Sequence, residues 1–202
     1  MRNQYCFVTR WRVRGTCGEV ADILGDPLSL ARWWPSVYLE VERLPDSPSH
    51  GVGQRVRLRT KGWLPYTIDW DLEVVESRYP NGSTIVATGD FDGRGVWTFE
   101  QDGEYVNAVY DWRLNVEKPL LKRLSFALRP VFEANHRWAM RQGEESLRLE
   151  LARRRATSEA ERAAVSAPPG PVTYSGAVLA GGIVLVAGSL LYLVGRTRRR
   201  SR

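Results

Sequence analysis

The chain has 202 residues, 43% hydrophobic and 26% charged, which suits one packed domain and excludes a wholly disordered chain. The formal charge of +6 belongs to the tail: Arg196, Arg198, Arg199, Arg200 and Arg202 carry five of those charges, and taking them away leaves +1. That balance excludes a basic nucleic-acid-binding face, and with only two cysteines, Cys6 and Cys17, no disulfide framework is readable.

Gln4 to Val13 reads as a strand, with Tyr5, Phe7, Thr9, Trp11 and Val13 on one face and Cys6, Val8, Arg10 and Arg12 on the other. Thr16 followed three residues later by Glu19 is a capping box, and it starts a short helix over Gly18 to Leu24. Asp26-Pro27 restarts the chain into a second short helix, Leu28 to Trp34, which Pro35 stops.

From there the period is two, as in an antiparallel sheet with one dry and one wet face. Val37, Leu39 and Val41 alternate with Tyr38, Glu40 and Glu42; Val56 and Leu58 alternate with Arg55, Arg57 and Arg59. Ile68, Trp70, Leu72 and Val74 alternate with Asp69, Asp71 and Glu73, a carboxylate row that reads as a solvated face. The dipeptides Asn81-Gly82, Asp92-Gly93 and Asp102-Gly103 mark hairpin turns. They delimit strands at Ser83 to Asp90, Arg94 to Gln101 and Glu104 to Glu117, the last with Val106, Ala108, Tyr110, Trp112, Leu114 and Val116 on one face.

After Pro119 the period changes. Pro130 is suited to the first turn of a long helix, whose apolar stripe is Phe132, His136, Ala139, Met140, Gly143, Leu147 and Leu151. The fold class is therefore α+β: strand, two short helices, six strands and one long helix, the seven antiparallel strands curving around the last helix and leaving an apolar space between. The domain spans residues 1–156. Residues 157–171, rich in Ala, Ser, Glu and Pro, read as a solvated spacer.

Residues 172–195 contain no charge and are dominated by Val, Leu, Ile, Ala and Gly. As a helix they reach about 36 Å, enough for a hydrocarbon core of about 30 Å, and the arginine tail 196–202 follows. Tyr174 and Tyr192 stand near the two ends, where amphipathic rings favour the interface. The reading is a single transmembrane helix. The first fifteen residues do not look like a secretory leader, so the globular part is expected in the cytoplasm, although the tail's arginines favour that side too.

Five stretches carry a resemblance: Leu30-Ala31-Arg32-Trp33-Trp34-Pro35, Gly51-Val52-Gly53, Leu64-Pro65-Tyr66, Gly89-Asp90-Phe91-Asp92-Gly93, and Asn135-His136-Arg137-Trp138-Ala139-Met140-Arg141-Gln142-Gly143. Together with the order of elements they resemble the START-like, or SRPBCC, superfamily, and within it the polyketide cyclase/dehydrase and lipid transport family. The resemblance covers residues 1 to about 153 and implies a helix-grip fold with a deep pocket for lipids, isoprenoids, polyketides or similar molecules. The membrane helix is not part of the shared domain.

His136, on the apolar stripe, is the sharpest candidate for chemistry, as a donor to a ligand carbonyl or as an acid or base. With no visible partner for chemistry, it reads more readily as a core histidine bonded to Asn135 or a strand tyrosine. Tyr110 is the second acid/base candidate. Trp33, Trp34, Trp70, Trp97, Tyr110, Trp112, Phe132, His136 and Met140 are the candidate ligand contacts, though each also reads as plain core, and one of Trp33 and Trp34 is expected to stay partly exposed. His50 lacks acidic or Cys companions at ligand spacing, so no metal site is expected, and no dinucleotide, phosphate-loop or nucleophile-elbow motif calls for a cofactor or that chemistry. The expected function is a membrane-tethered binding or transport protein for a hydrophobic small molecule; the alternative is a cyclase/aromatase-like enzyme.

Overall fold

A computed structural model describes residues 4–116 and 119–174, with the backbone alone for Val116 and for 119–128. The chain divides into two units, Met1–Pro171 and Val172–Arg202, and the description that follows is of the first. The predicted transmembrane span and basic tail lie outside the described residues, apart from Val172–Tyr174. Among the described residues no helix is long and apolar enough to cross a membrane.

The elements follow the expected order: β1 (Gln4–Arg14), α1 (Cys17–Leu24), a 3-10 turn (Pro27–Ser29), α2 (Leu30–Trp33), β2 (Tyr38–Arg43), β3 (Arg55–Lys61), β4 (Thr67–Ser77), β5 (Gly82–Gly89), β6 (Phe91–Asp102), β7 (Tyr105–Val116), α3 (Pro119–Arg155) and α4 (Glu159–Ala164). The strands form one seven-stranded antiparallel sheet in the order β1-β7-β6-β5-β4-β3-β2. Six strands thus run as a meander, and β1 returns to pair with β7, Tyr5 opposite Leu114 and Trp11 opposite Ala108.

The dry face is the one the alternation gives: Trp11, Val13, Val56, Leu58, Leu72, Val106, Ala108 and Leu114 are buried together with Val20, Ile23 and Trp33 from the short helices. The wet face is organised by charge. Arg55, Arg57 and Arg59 stand opposite Glu73, Asp71 and Asp69, and Arg57 and Arg59 reach Asp71 and Asp69 at 2.9 Å. Such exposed cross-strand pairs contribute little each but set register. The capping box is present: Thr16 Oγ1 accepts from Glu19 N at 3.2 Å, and Glu19 accepts from Thr16 N at 2.8 Å.

Four expectations need correction. Asp92-Gly93 is not a turn but lies within β6, paired with Asn115 and Leu114. The chain reverses at Gly89 (φ +119) and Asp90, and Gly93 serves close approach instead: a Cβ there would run into the backbone of Arg113 and Leu114. The long helix starts at Pro119, not near Pro130, which sits in its interior. Pro119 takes the role assigned to Pro130, since a first-turn proline forfeits no helical bond. Tyr38 leaves the wet face because the ladder slips between Tyr38 and Glu40, a bulge that strict alternation cannot register. Finally, the stretch read as spacer contains α4, capped by Ser158 and exposed throughout, and Arg153 donates to Ser166 O at 3.0 Å.

A candidate ligand cavity between the sheet and the long helix

The concave face of the sheet and the middle of α3 line a partly open cavity of about 150 Å3. Helix α3 supplies Phe132, Asn135, His136, Ala139 and Met140. Strands β4 and β7 supply Ile68, Trp70, Tyr110, Trp112 and Leu114, and β1 supplies Tyr5 and Phe7. Trp34, Val37 and Tyr38 close one side, while Thr60, Lys61, Gly62 and Tyr66 bring in the β3–β4 loop. Among these lining residues there is no carboxylate, and Lys61 is the single lysine or arginine.

Seven of the expected contacts come together here: Trp34, Trp70, Tyr110, Trp112, Phe132, His136 and Met140. Trp33 and Trp97 do not reach the cavity. Trp33 is fully buried, 5.5 Å from the Trp34 ring, and Trp97 stacks on Tyr110 at 4.3 Å with an angle of 20°. Neither Trp33 nor Trp34 is partly exposed, at 0% and 4%. Trp34 is sunk because α3 offers Gly143 beneath it; a Cβ at that position would run into the indole.

The walls are held by local bonds. Trp70 Nε1 donates to Thr60 Oγ1 at 3.1 Å, and that hydroxyl donates on to Ile68 O at 3.3 Å, fixing the Trp70 ring. Asn135 Oδ1 accepts from Trp63 N at 2.9 Å and Leu64 N at 3.3 Å, so one side chain of α3 fastens the β3–β4 loop over the cavity. Asn135 is therefore not the partner of His136. That ring stacks on Phe7, with centroids 4.0 Å apart, and its Nε2 lies 3.5 Å from Thr9 Oγ1.

Burial, helped by the nearby Arg137 charge, pulls the His136 pKa down to about 4, so the imidazole is neutral at pH 7. Burial pushes the Tyr38, Tyr66 and Tyr110 phenols up from their ordinary value, and they stay protonated. Lys61 apart, the cavity thus presents rings and uncharged hydrogen-bonding groups. His136 has no carboxylate to orient it in the manner of a hydrolytic triad; Thr9 is its hydrogen-bond partner among the described residues.

Some of the site was missed although the sequence carried the signal. Tyr66 extends the inward series Ile68, Trp70, Leu72 by one step of two, and Asn135 lies three residues after Phe132 and four before Ala139 on the same helical stripe. Tyr5 and Phe7 were on the apolar face of β1 and belong to the lining too. Tyr38 had no such signal, because the bulge puts it there.

No family model matches the chain, and no curated protein matches it. Solved structures do. The Zhui aromatase/cyclase from Streptomyces sp. R1128 is similar over 77% of this chain and 98% of its own, with a TM-score of 0.58 and 18% identity. The di-domain aromatase/cyclase BexL of the BE-7585A biosynthetic pathway matches over 84% of this chain at a TM-score of 0.55 and 14% identity; this chain spans 52% of BexL. Norcoclaurine synthase from Thalictrum flavum, solved in complex with dopamine and hydroxybenzaldehyde, matches over 77% of this chain and 90% of its own, with a TM-score of 0.54 and 9% identity. The shared property is the fold. This chain has the helix-grip architecture of those proteins.

Proposed function

We propose that the chain binds a small, largely apolar molecule in the cavity under α3, and that residues 172–195 tether it to a membrane. The observation that carries the binding reading is the cavity itself: about 150 Å3, walled by aromatic rings, with no carboxylate in its lining. Apolar cavities of roughly that volume accept a single-ring guest, whereas drug-sized ligands occupy roughly 300–1,000 Å3. A one-ring molecule therefore fits with little change, and a lipid, isoprenoid or polyketide-like guest requires the loop held by Asn135 to move. The family resemblance and the solved structures of the same fold support a hydrophobic ligand of this general kind.

The tether rests on the uncharged run 172–195 and the five arginines after it. A cytoplasmic face for the domain belongs to the same reading. Tethering would hold the cavity at a high effective concentration beside any membrane-dissolved ligand. The full chain should stay in the membrane fraction after alkaline extraction, and a chain ending at Pro171 should not.

The test of binding is native mass spectrometry of the full chain in nanodiscs, followed by organic extraction and a parallel run on Ala139→Trp, which fills the cavity. An apolar molecule extracted in stoichiometric amount from the wild type and lost from the variant supports the proposal. Identical extracts from both count against it.

A second reading is an aromatase/cyclase-like enzyme, favoured by a neutral His136 and a protonated Tyr110 in one cavity. Here His136 acts as the acid/base group. Loss of polyketone turnover in His136→Ala with binding retained would support it; unchanged turnover would exclude that role.

A further inference from the structure

The hydroxyls of Tyr38 and Tyr110 set this cavity apart from a plain apolar one. Both residues line it, and among the described residues neither hydroxyl bonds to a protein group. Nor are these oxygens among the sealed, unpartnered polar atoms, a set that includes Trp34 Nε1. They are thus open to the cavity. The two phenols are close enough that a charge on one would oppose a charge on the other. The phenol end of Tyr110 occupies room left by Gly95, where any Cβ would collide with the hydroxyl.

Two acceptors of the lining are already used. Asn135 Oδ1 is taken by two loop N–H groups, and Thr60 Oγ1 accepts from Trp70 and donates to Ile68. Buried polar groups in folded proteins almost always find partners, so two open hydroxyls in an aromatic box call for a partner from outside the chain. A cation is disfavoured where no carboxylate lines the wall. An oxyanion would lose its hydration for two neutral donors, and Lys61, the one lysine or arginine of the lining, already has a partner.

We infer that Tyr38 and Tyr110 together form a donor pair for an uncharged carbonyl oxygen, so that the cavity selects planar, single-ring-sized ketones or aldehydes over hydrocarbons of the same shape. The inference rests on the cavity being a ligand site. The ring of the guest packs among Trp70, Trp112 and Phe132, and its oxygen points toward the two phenols.

The experiment compares acetophenone with α-methylstyrene, which replaces the oxygen by a methylene and keeps the shape. Binding to the full chain in nanodiscs is read by ligand-observed NMR, with protein-free nanodiscs subtracted. Acetophenone is expected to bind about tenfold tighter, the worth of one or two hydrogen bonds. Tyr38→Phe and Tyr110→Phe each reduce that ratio, and the double variant brings it to about one while α-methylstyrene binds as before, which shows the cavity intact. Equal affinities in the wild type, or a ratio that survives the double variant, overturn the inference and leave the apolar-ligand reading standing. Failure of both probes to bind the wild type overturns the two together.

Discussion

Two successive stretches of α3 are built for opposite purposes. From Gly143 to Arg155 the helix is cemented: Leu147 and Leu151 are buried, Trp34 lies on Gly143, and Glu150, 1% exposed, accepts from Arg32 at 2.7 and 3.0 Å and from Arg154 at 2.9 Å. Arg155 then closes on Glu19 of α1 at 2.6 and 2.7 Å. From Phe132 to Met140 the same helix roofs a cavity, and its contacts are ring contacts from Phe132 and His136, a hydrogen bond from His136 to Thr9 and two hydrogen bonds through Asn135. One continuous element therefore separates stability from access. The end that anchors α1 and α2 is packed and ion-paired, and the end that meets a guest is left with room.

That contrast can be broken most directly by shortening one side chain in each stretch. Leu147→Ala removes a fully buried side chain and should lower unfolding free energy by about 2–5 kcal/mol, read from denaturant midpoints. Phe132→Ala, a half-buried residue facing the cavity, should cost about 1–2 kcal/mol despite its larger size, because part of its surface meets no protein atoms. Equal costs would mean that the two stretches are packed alike.

The pH response sharpens the comparison. His136 is held at about 4 in the folded chain against an ordinary 6.5. Above pH 6.5 it is neutral in both states; below that the unfolded chain takes up the proton first, so stability falls as pH drops from about 6.5 to 4. The loss should approach about 3 kcal/mol, and His136→Leu should flatten it. Glu19 of the cemented end works in a lower window. The Arg155 hydrogen bonds, with the Thr16 capping contacts, hold its carboxyl at about 2, so its contribution is present above about 4.5 and is lost as pH falls toward 2. A midpoint that stays level from pH 7 to 4 would contradict the burial of His136.

A smaller effect is expected at the loop. Asn135→Ala removes the acceptor of Trp63 N and Leu64 N, and amide exchange at those two positions should rise about tenfold, with global stability falling by about 1 kcal/mol. The smallest change should come from Glu19→Gln, about 0.5–1 kcal/mol, since the amide can still accept from Thr16 N and the lost ion pair with Arg155 is partly exposed and screened by solvent. Unchanged exchange in Asn135→Ala would show that the loop is fastened by something other than this side chain.

The fold was legible because its signals are periodic. Alternation separates Trp70 and Leu72 from Asp69 and Asp71, the Thr16/Glu19 box starts α1, and the stripe from Phe132 to Leu151 names the face of α3 that turns inward. The errors fall where one residue type serves two purposes. Asp92-Gly93 has the chemistry of a hairpin turn, yet its glycine is spent on strand approach; Pro130 has the chemistry of a helix start and lies inside one. The site was legible only in part. Periodicity says which side chains point inward, but it cannot distinguish Trp97, which stacks behind Tyr110, from Trp112, which faces the cavity. Which residue fills space and which borders it depends on how the rings tilt. A bulge such as the one after Tyr38 then brings in a residue that alternation assigns to the wet face, beside Val37, which stays inward.

The central claim is that the space between the Phe132–Met140 stretch of α3 and the sheet accepts an apolar guest. Crystals of the chain pressurised with xenon test it most directly, since xenon enters apolar cavities and ignores hydrogen-bond chemistry. The expected result is xenon among Phe132, Met140, Trp70 and Trp112, with none at the Leu147–Leu151 end. Absence of xenon from the first position, with rings closed across it, would contradict the claim.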